Sequence, residues 1–193
     1  MREVVRRRCS GGRLSHTRPI MIRPCGSDDL DAIFAIINDA AQAYRGVIPD
    51  DCWHDPYMSR DELVSEIGDG VVFWGLEMDG RPGGELAGVM GIQDKGDVAL
   101  IRHAYVRSGD RRSGIGGMLL EHLERSTEKP ILVGTWAAAS WAIRFYEKHG
   151  YRLTTRQEKD RLLARYWRVP PRQVDTSVVL ASPRWQGTQD QGS

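Results

Sequence analysis

The run Arg111-Arg112-Ser113-Gly114-Ile115-Gly116-Gly117 stands between a β-rich stretch, residues 98–106, and a helical pattern that opens with Met118-Leu119-Leu120 and continues to Leu123. A strand that empties through glycines into a helix start exposes a row of backbone N–H groups at the positive end of a helix dipole. Phosphate oxygens bind such a site. Gly114 and Gly116 let a ligand approach the main chain with no Cβ in the way. Two common users of glycine-rich loops do not match. A P-loop ends in Gly-Lys-Ser/Thr, which is absent here. A dinucleotide fingerprint opens a parallel βαβ unit, whereas the strand before this loop closes an antiparallel meander. What remains is Arg111-x-x-Gly114-x-Gly116, followed downstream by Ala142-Ile143-Arg144-Phe145-Tyr146-Glu147-Lys148-His149-Gly150-Tyr151.

The elements that must position this loop are legible from periodicity. Ser27 can cap a helix whose apolar residues Leu30, Ile33, Phe34, Ile37 and Ala41 follow the helical repeat. The turn-rich segment 44–49 leads to Trp53-His54-Asp55-Pro56-Tyr57-Met58, and Ser59 with Glu62 forms a capping box for a second helix through Leu63 and Ile67, stopping at Gly68. Strands are expected over 71–78, 86–92 and 98–106, the first two joined by a hairpin at 79–84. After the glycine loop come a helix over 114–125, a buried strand over 131–135, a helix over 140–149 closed by Gly150, a strand over 151–155, a short helix over 160–167 and a last strand over 174–181. This is an α/β architecture, one domain over 20–182, with a basic disordered extension over 1–19 and a polar tail over 183–193.

The loop together with the Phe-Tyr-Glu-Lys-x-Gly-Tyr segment resembles the GNAT superfamily of N-acetyltransferases, and the element order matches that family over most of the chain. The resemblance implies a mixed central sheet, made of an antiparallel meander, a splayed parallel pair and a closing hairpin, flanked by helices. It implies acetyl-CoA as acetyl donor, with its pyrophosphate on the N–H groups of Arg112, Ser113, Gly114, Ile115, Gly116 and Gly117 beside Arg111. Ala104, Tyr105 and Val106 match the strand that pairs with the pantetheine arm. An N–H of Ala104 or Val106 would polarise the thioester carbonyl. Tyr146 matches the general acid that protonates the departing thiolate, a role open to a phenol of pKa about 10. The resemblance also allows a homodimer, which no exposed stripe compels.

The pattern departs from the family in two places. The branch that acetylates ribosomal-protein N-termini has a Glu and an Asn where this chain has Gly134 and Ala139. Other members carry a base at positions matching Leu100 and Arg102, and neither side chain can accept a proton at working pH. The base is left open among His54, Asp50, His103 and a water chain, and His103, alternating with Arg102 along a strand, should point to the opposite face. The acceptor site is expected from Tyr44, Trp53, His54, Arg102 and Trp136, with Trp141, Tyr166 and Trp167 completing a wall suited to a small amine that bears an apolar group or a carboxylate.

Composition adds bounds. Hydrophobic residues at 40% and charged residues at 27% describe an ordinary globular chain. No apolar run approaches the roughly 20 residues a membrane span needs. Six arginines and one acid give residues 1–20 a charge of +5, so the remainder is mildly acidic. A nucleic-acid partner for that arm is the minor reading, a solvated extension the major one. Three cysteines, Cys9, Cys25 and Cys52, share no CxxC spacing and pair with no histidine spacing, so no metal site and a reducing cytoplasm are expected. An N-acetyltransferase acting on a primary amine through a ternary complex is the leading function; a catalytically silent CoA sensor of the same fold is the alternative.

Overall fold

A computed structural model describes residues 3–5, 20–78 and 85–187. Strands β1 (Glu3–Val5), β2 (Ile20–Pro24), β3 (Val71–Met78), β4 (Leu86–Asp94), β5 (Ala99–Val106), β6 (Ile131–Trp136), β7 (Arg152–Leu153) and β8 (Ser177–Ala181) form one sheet in the order β1-β2-β3-β4-β5-β6-β8-β7. Every neighbouring pair is antiparallel except β5 with β6. Side chains alternate across each strand, and helices bury both faces. On one face lie α1 (Leu30–Ala41), α2 (Arg60–Gly68) and α5 (Arg156–Tyr166), packed on Phe73 and Val89 and on Leu100 and Leu132. On the other lie α3 (Ile115–Arg125) and α4 (Ser140–Lys148), packed on Met90, Ile101 and Val133. Ile115, Leu119, Leu120 and Leu123 make the buried stripe of α3 at helical spacing.

Two irregularities shape the centre of the sheet. The parallel pairing of β5 with β6 comprises Ala99↔Ile131, Leu100↔Leu132 and Ile101↔Val133. Beyond it β6 continues against β8 and β5 against β4, so the two strands diverge. In the same stretch of β5 the register against β4 jumps from Gly91↔Arg102 to Val89↔Tyr105, so that His103 and Ala104 together oppose Met90. This is a β-bulge, and His103 takes a φ of 52° within it.

Several expectations are corrected. The first helix begins at Leu30 after a 3-10 turn, and Ser27 makes no capping bond; instead the Asp29 carboxylate accepts the Gly26 N–H at 2.8 Å. Helix α2 is capped by Ser59, whose Oγ accepts the Glu62 N–H, but its buried face runs through Leu63 and Glu66 rather than Leu63 and Ile67, which is 40% exposed. Thr155 caps α5 and starts it at Arg156, which shortens the preceding strand. Pro171 at a helix start turns 171–176 into α6 (Pro171–Thr176), leaving the last strand only Ser177–Ala181. The hairpin at 79–84 lies outside the described residues, as does the 1–19 extension apart from β1, which pairs with β2. Of the tail, residues 183–187 are described and docked: Trp185 Nε1 donates to Glu158 at 2.6 Å and Arg184 to the Thr127 carbonyl at 2.6 Å.

Candidate functional site

The glycine loop is built as a cradle. Gly114, at φ 86°, is the residue before α3, a backbone that L side chains adopt only with strain. The first bond of the helix runs from Met118 N–H to the Gly114 carbonyl at 3.1 Å. The N–H groups of Ile115, Gly116 and Gly117 therefore have no carbonyl one turn back and point out of the helix start. The loop is clipped to α1: Ser108 N–H donates to Asp39 at 2.6 Å, and Arg111 Nη2 donates to the Ala40 carbonyl at 3.0 Å. Close approach at Gly88 seats the helix, since a Cβ there would meet Ile115 at 2.8 Å and the Tyr105 carbonyl at 3.1 Å.

From the loop a cavity of about 1310 Å³ runs along β5 into the gap where β6 diverges, lined by Ala104, Tyr105, Val106, residues 111–117, Gly134, Thr135, Trp141, Phe145 and Tyr146. Arg107 N–H reaches the Ala87 carbonyl of β4 at 2.9 Å. Strand alternation then turns the polar groups of Val106 to the opposite edge, into the cavity, which Ala104 lines from within the bulge. An extended, amide-bearing ligand could pair with that edge as an added strand. The free amides, the left-handed Gly114 and the open edge fit a diphosphate joined to such an arm, as in coenzyme A.

Tyr146 is buried, on α4, edge-on to Phe145 at 5.0 Å and near Tyr151 at 5.5 Å. Burial first, and the neighbouring Tyr44 second, push its phenol well above the ordinary value, so it stays protonated. Tyr44 also lines the cavity, against Tyr57 at 5.6 Å and Trp141 at 5.5 Å, and burial pushes its phenol up to about 12. The Tyr105 hydroxyl lies among those of Tyr44 and Tyr57 and is raised by the same desolvation.

The other expected acceptor residues are placed differently. Trp136 is buried and donates from Nε1 to the Tyr57 hydroxyl at 2.9 Å, bracing the aromatic cluster from behind. Trp53 packs on Tyr57 at 5.5 Å, and His54 is exposed; neither lines the cavity. Tyr166 donates to Asp97 at 2.7 Å below α5, away from the gap. Arg102 does not line the cavity: its Nη2 donates to Glu66 at 2.5 Å and its Nη1 to Gln93 at 3.4 Å. His103 joins it. The expectation of opposite faces fails because the bulge breaks strand alternation, and His103 Nε2 meets the other oxygen of Glu66 at 2.5 Å. Burial raises the Glu66 carboxyl, but His103 and then Arg102 outweigh it and hold it below the usual range. Sequence reasoning missed Glu66; its signal was the i, i+3 spacing from Leu63. Among the described residues no group of His, Cys, Asp and Glu is arranged to hold a metal.

Residues 69–153 match the family model for the acetyltransferase (GNAT) domain. No curated protein sequence matches the chain. Among solved structures, the ribosomal-protein-S18-alanine N-acetyltransferase from Escherichia coli aligns with a TM-score of 0.59 and 21% identity, over 90% of this chain and 99% of that one. The PaiA N-acetyltransferase from Thermoplasma acidophilum, in complex with coenzyme A, gives 0.63 and 17% over 84% and 98%. The N-acetylglutamate synthase from Neisseria gonorrhoeae, complexed with coenzyme A and N-acetyl-glutamate, gives 0.57 and 20% over 86% of this chain and 35% of that one. At such identities the likeness is one of fold. The sheet, the loop and the family match together define a GNAT-type acyltransferase domain. Residues 69–153 thus carry a GNAT acetyltransferase domain, set in a fold shared with GNAT N-acetyltransferases.

Proposed function

We propose that the protein transfers the acetyl group of acetyl-CoA to a primary amine of a small-molecule or amino-acid-like acceptor, by direct attack in a ternary complex. The observation that carries this reading is one continuous cavity joining the free amides at the start of α3, the open edge of β5 and the Tyr146 side chain. In this reading the N–H groups ahead of α3, with Arg111 and Arg112 beside them, hold the diphosphate, and the Ala104 and Val106 main chain takes the pantetheine arm. One of those two N–H groups stabilises the oxyanion that forms as the amine attacks. The Tyr146 phenol, kept neutral by burial, donates its proton to the departing thiolate. The aromatic surface of Tyr44 and Trp141 receives the apolar part of the acceptor. Acetylation of a ribosomal-protein N-terminus is not proposed, because Gly134 and Ala139 offer no functional side chain.

The test is CoA thiol release from acetyl-CoA across a panel of amines and amino acids, with calorimetry of CoA binding alongside. Turnover on a subset of amines, reduced about 100-fold in Tyr146→Phe at unchanged CoA affinity, is expected. CoA binding with no turnover on any acceptor would instead favour a sensor, and no CoA affinity in folded protein would remove the reading altogether.

A further inference from the structure

Of the three side chains that sequence alone left open as bases, His54 and Asp50 are exposed outside the cavity, and His103 lines it. The bulge in β5 brings His103 there and gives it a left-handed backbone, φ 52°, that a histidine adopts only at a cost of about 1–2 kcal/mol. Such strain persists where surrounding contacts over-determine it, and here they do. The ring is flanked by Phe73 of β3 at 5.9 Å and Tyr105 at 6.4 Å, and Nε2 is held by Glu66 of α2 at 2.5 Å. Arg102 secures the second oxygen of the same carboxylate. The groups around the imidazole are therefore the Glu66 carboxylate from α2, the Arg102 guanidinium and Tyr105 phenol of its own strand, the neutral Phe73 ring from β3 and, through Arg102, the neutral Gln93 amide of β4. The α1 face above them is the apolar stripe of Ile33, Ile36 and Ile37.

A carboxylate on Nε2 fixes the neutral imidazole with its proton on that nitrogen, so that Nδ1, used by no described hydrogen bond, is the basic one. We infer that His103 is the general base that deprotonates the acceptor ammonium, with Glu66 as the positioning residue that sets its tautomer and Arg102 holding the second oxygen of Glu66 in place. The inference rests on the acetyltransferase reading. His103 takes one proton from the substrate ammonium and frees the nitrogen lone pair. The N–C bond forms, the C–S bond breaks, and the thiolate takes its proton from Tyr146. The second proton leaves the new amide nitrogen and re-protonates Tyr146 through solvent, and His103 releases its own, so each turnover yields one net proton.

The experiment is the pH profile of kcat/KM with the best acceptor found, for the wild type, His103→Asn and Glu66→Gln, with CoA affinity measured for each. Asn is chosen because it tolerates a left-handed backbone. His103→Asn is expected to lose about 100-fold in kcat/KM at neutral pH while binding CoA normally, its acid limb displaced upward to the acceptor's own titration so that the deficit shrinks as pH rises. Glu66→Gln is expected to reduce kcat rather than raise KM, and Glu66→Asp to recover part of the loss. A His103→Asn enzyme with the wild-type profile overturns the inference. Should that variant not fold, an unchanged kcat in Glu66→Gln overturns it equally. A wild type that turns over no amine sinks the acetyltransferase reading itself, a result distinct from either.

Discussion

Single residues carry the sharpest expectations. At Gly114 the left-handed φ of 86° means that Gly114→Ala should lose about 1 kcal/mol of stability and misdirect the amides ahead of α3. Denaturant melts should report the first effect and a weakened CoA titration the second. At Cys25, burial first and then Asp29 push the thiol up to about 12, so little thiolate forms near neutral pH. Iodoacetamide should leave Cys25 unmodified in the folded protein and alkylate it after denaturation, as read by peptide mass spectrometry. The loop and Tyr146 were legible in the sequence because their residue types are dictated locally, by a turn and by a helix face. Glu66, Arg102 and His103 were not. Their meeting depends on one extra residue in β5, and nothing in the string Ile101-Arg102-His103-Ala104 marks where a ladder slips.

Elements were read well in kind and poorly in phase. The helix over 60–68 was placed by its Ser59 cap, yet its inward face was set by Leu63 and Glu66, because an ion-paired carboxylate can occupy a position that a hydrophobic count assigns to Ile67. The last strand was drawn too long because Val174 looked like its first residue, whereas Pro170 and Pro171 opened a short helix. Close packing between elements is equally invisible to periodicity. Gly88 is the point where α3 touches β4, and Gly88→Ala should cost roughly 1–3 kcal/mol, since the backbone carbonyl of Tyr105 cannot step aside. A lowered melting temperature together with weaker CoA binding would show that the cradle is seated through this contact.

At the scale of the whole molecule, acid sensitivity follows from carboxyls held low in the folded state. The Arg23 guanidinium, against an opposing effect of burial, keeps Asp29 below the ordinary carboxylate range. A depressed folded value means that the stabilisation is complete above the unfolded value, near pH 4, and is lost as pH falls through the lower folded one. Urea melts on acidification below that point should show the loss, and Asp29→Asn should flatten it. The mixed sheet with its flanking helices was foreseeable because each buried stripe agrees with its neighbours; the docked Trp185 was not, lying in a stretch whose composition reads as tail.

An open sheet ordinarily has two free borders. After the third rung between β5 and β6, this one acquires two more, facing each other across an internal cleft. Water must satisfy those inner borders until a chain with peptide-like spacing replaces it, which makes the cleft receptive to any slender β-mimic of the right length. Short extended amides should therefore compete with coenzyme A, and amide hydrogen exchange at Ala104 and Val106 should slow when either is bound.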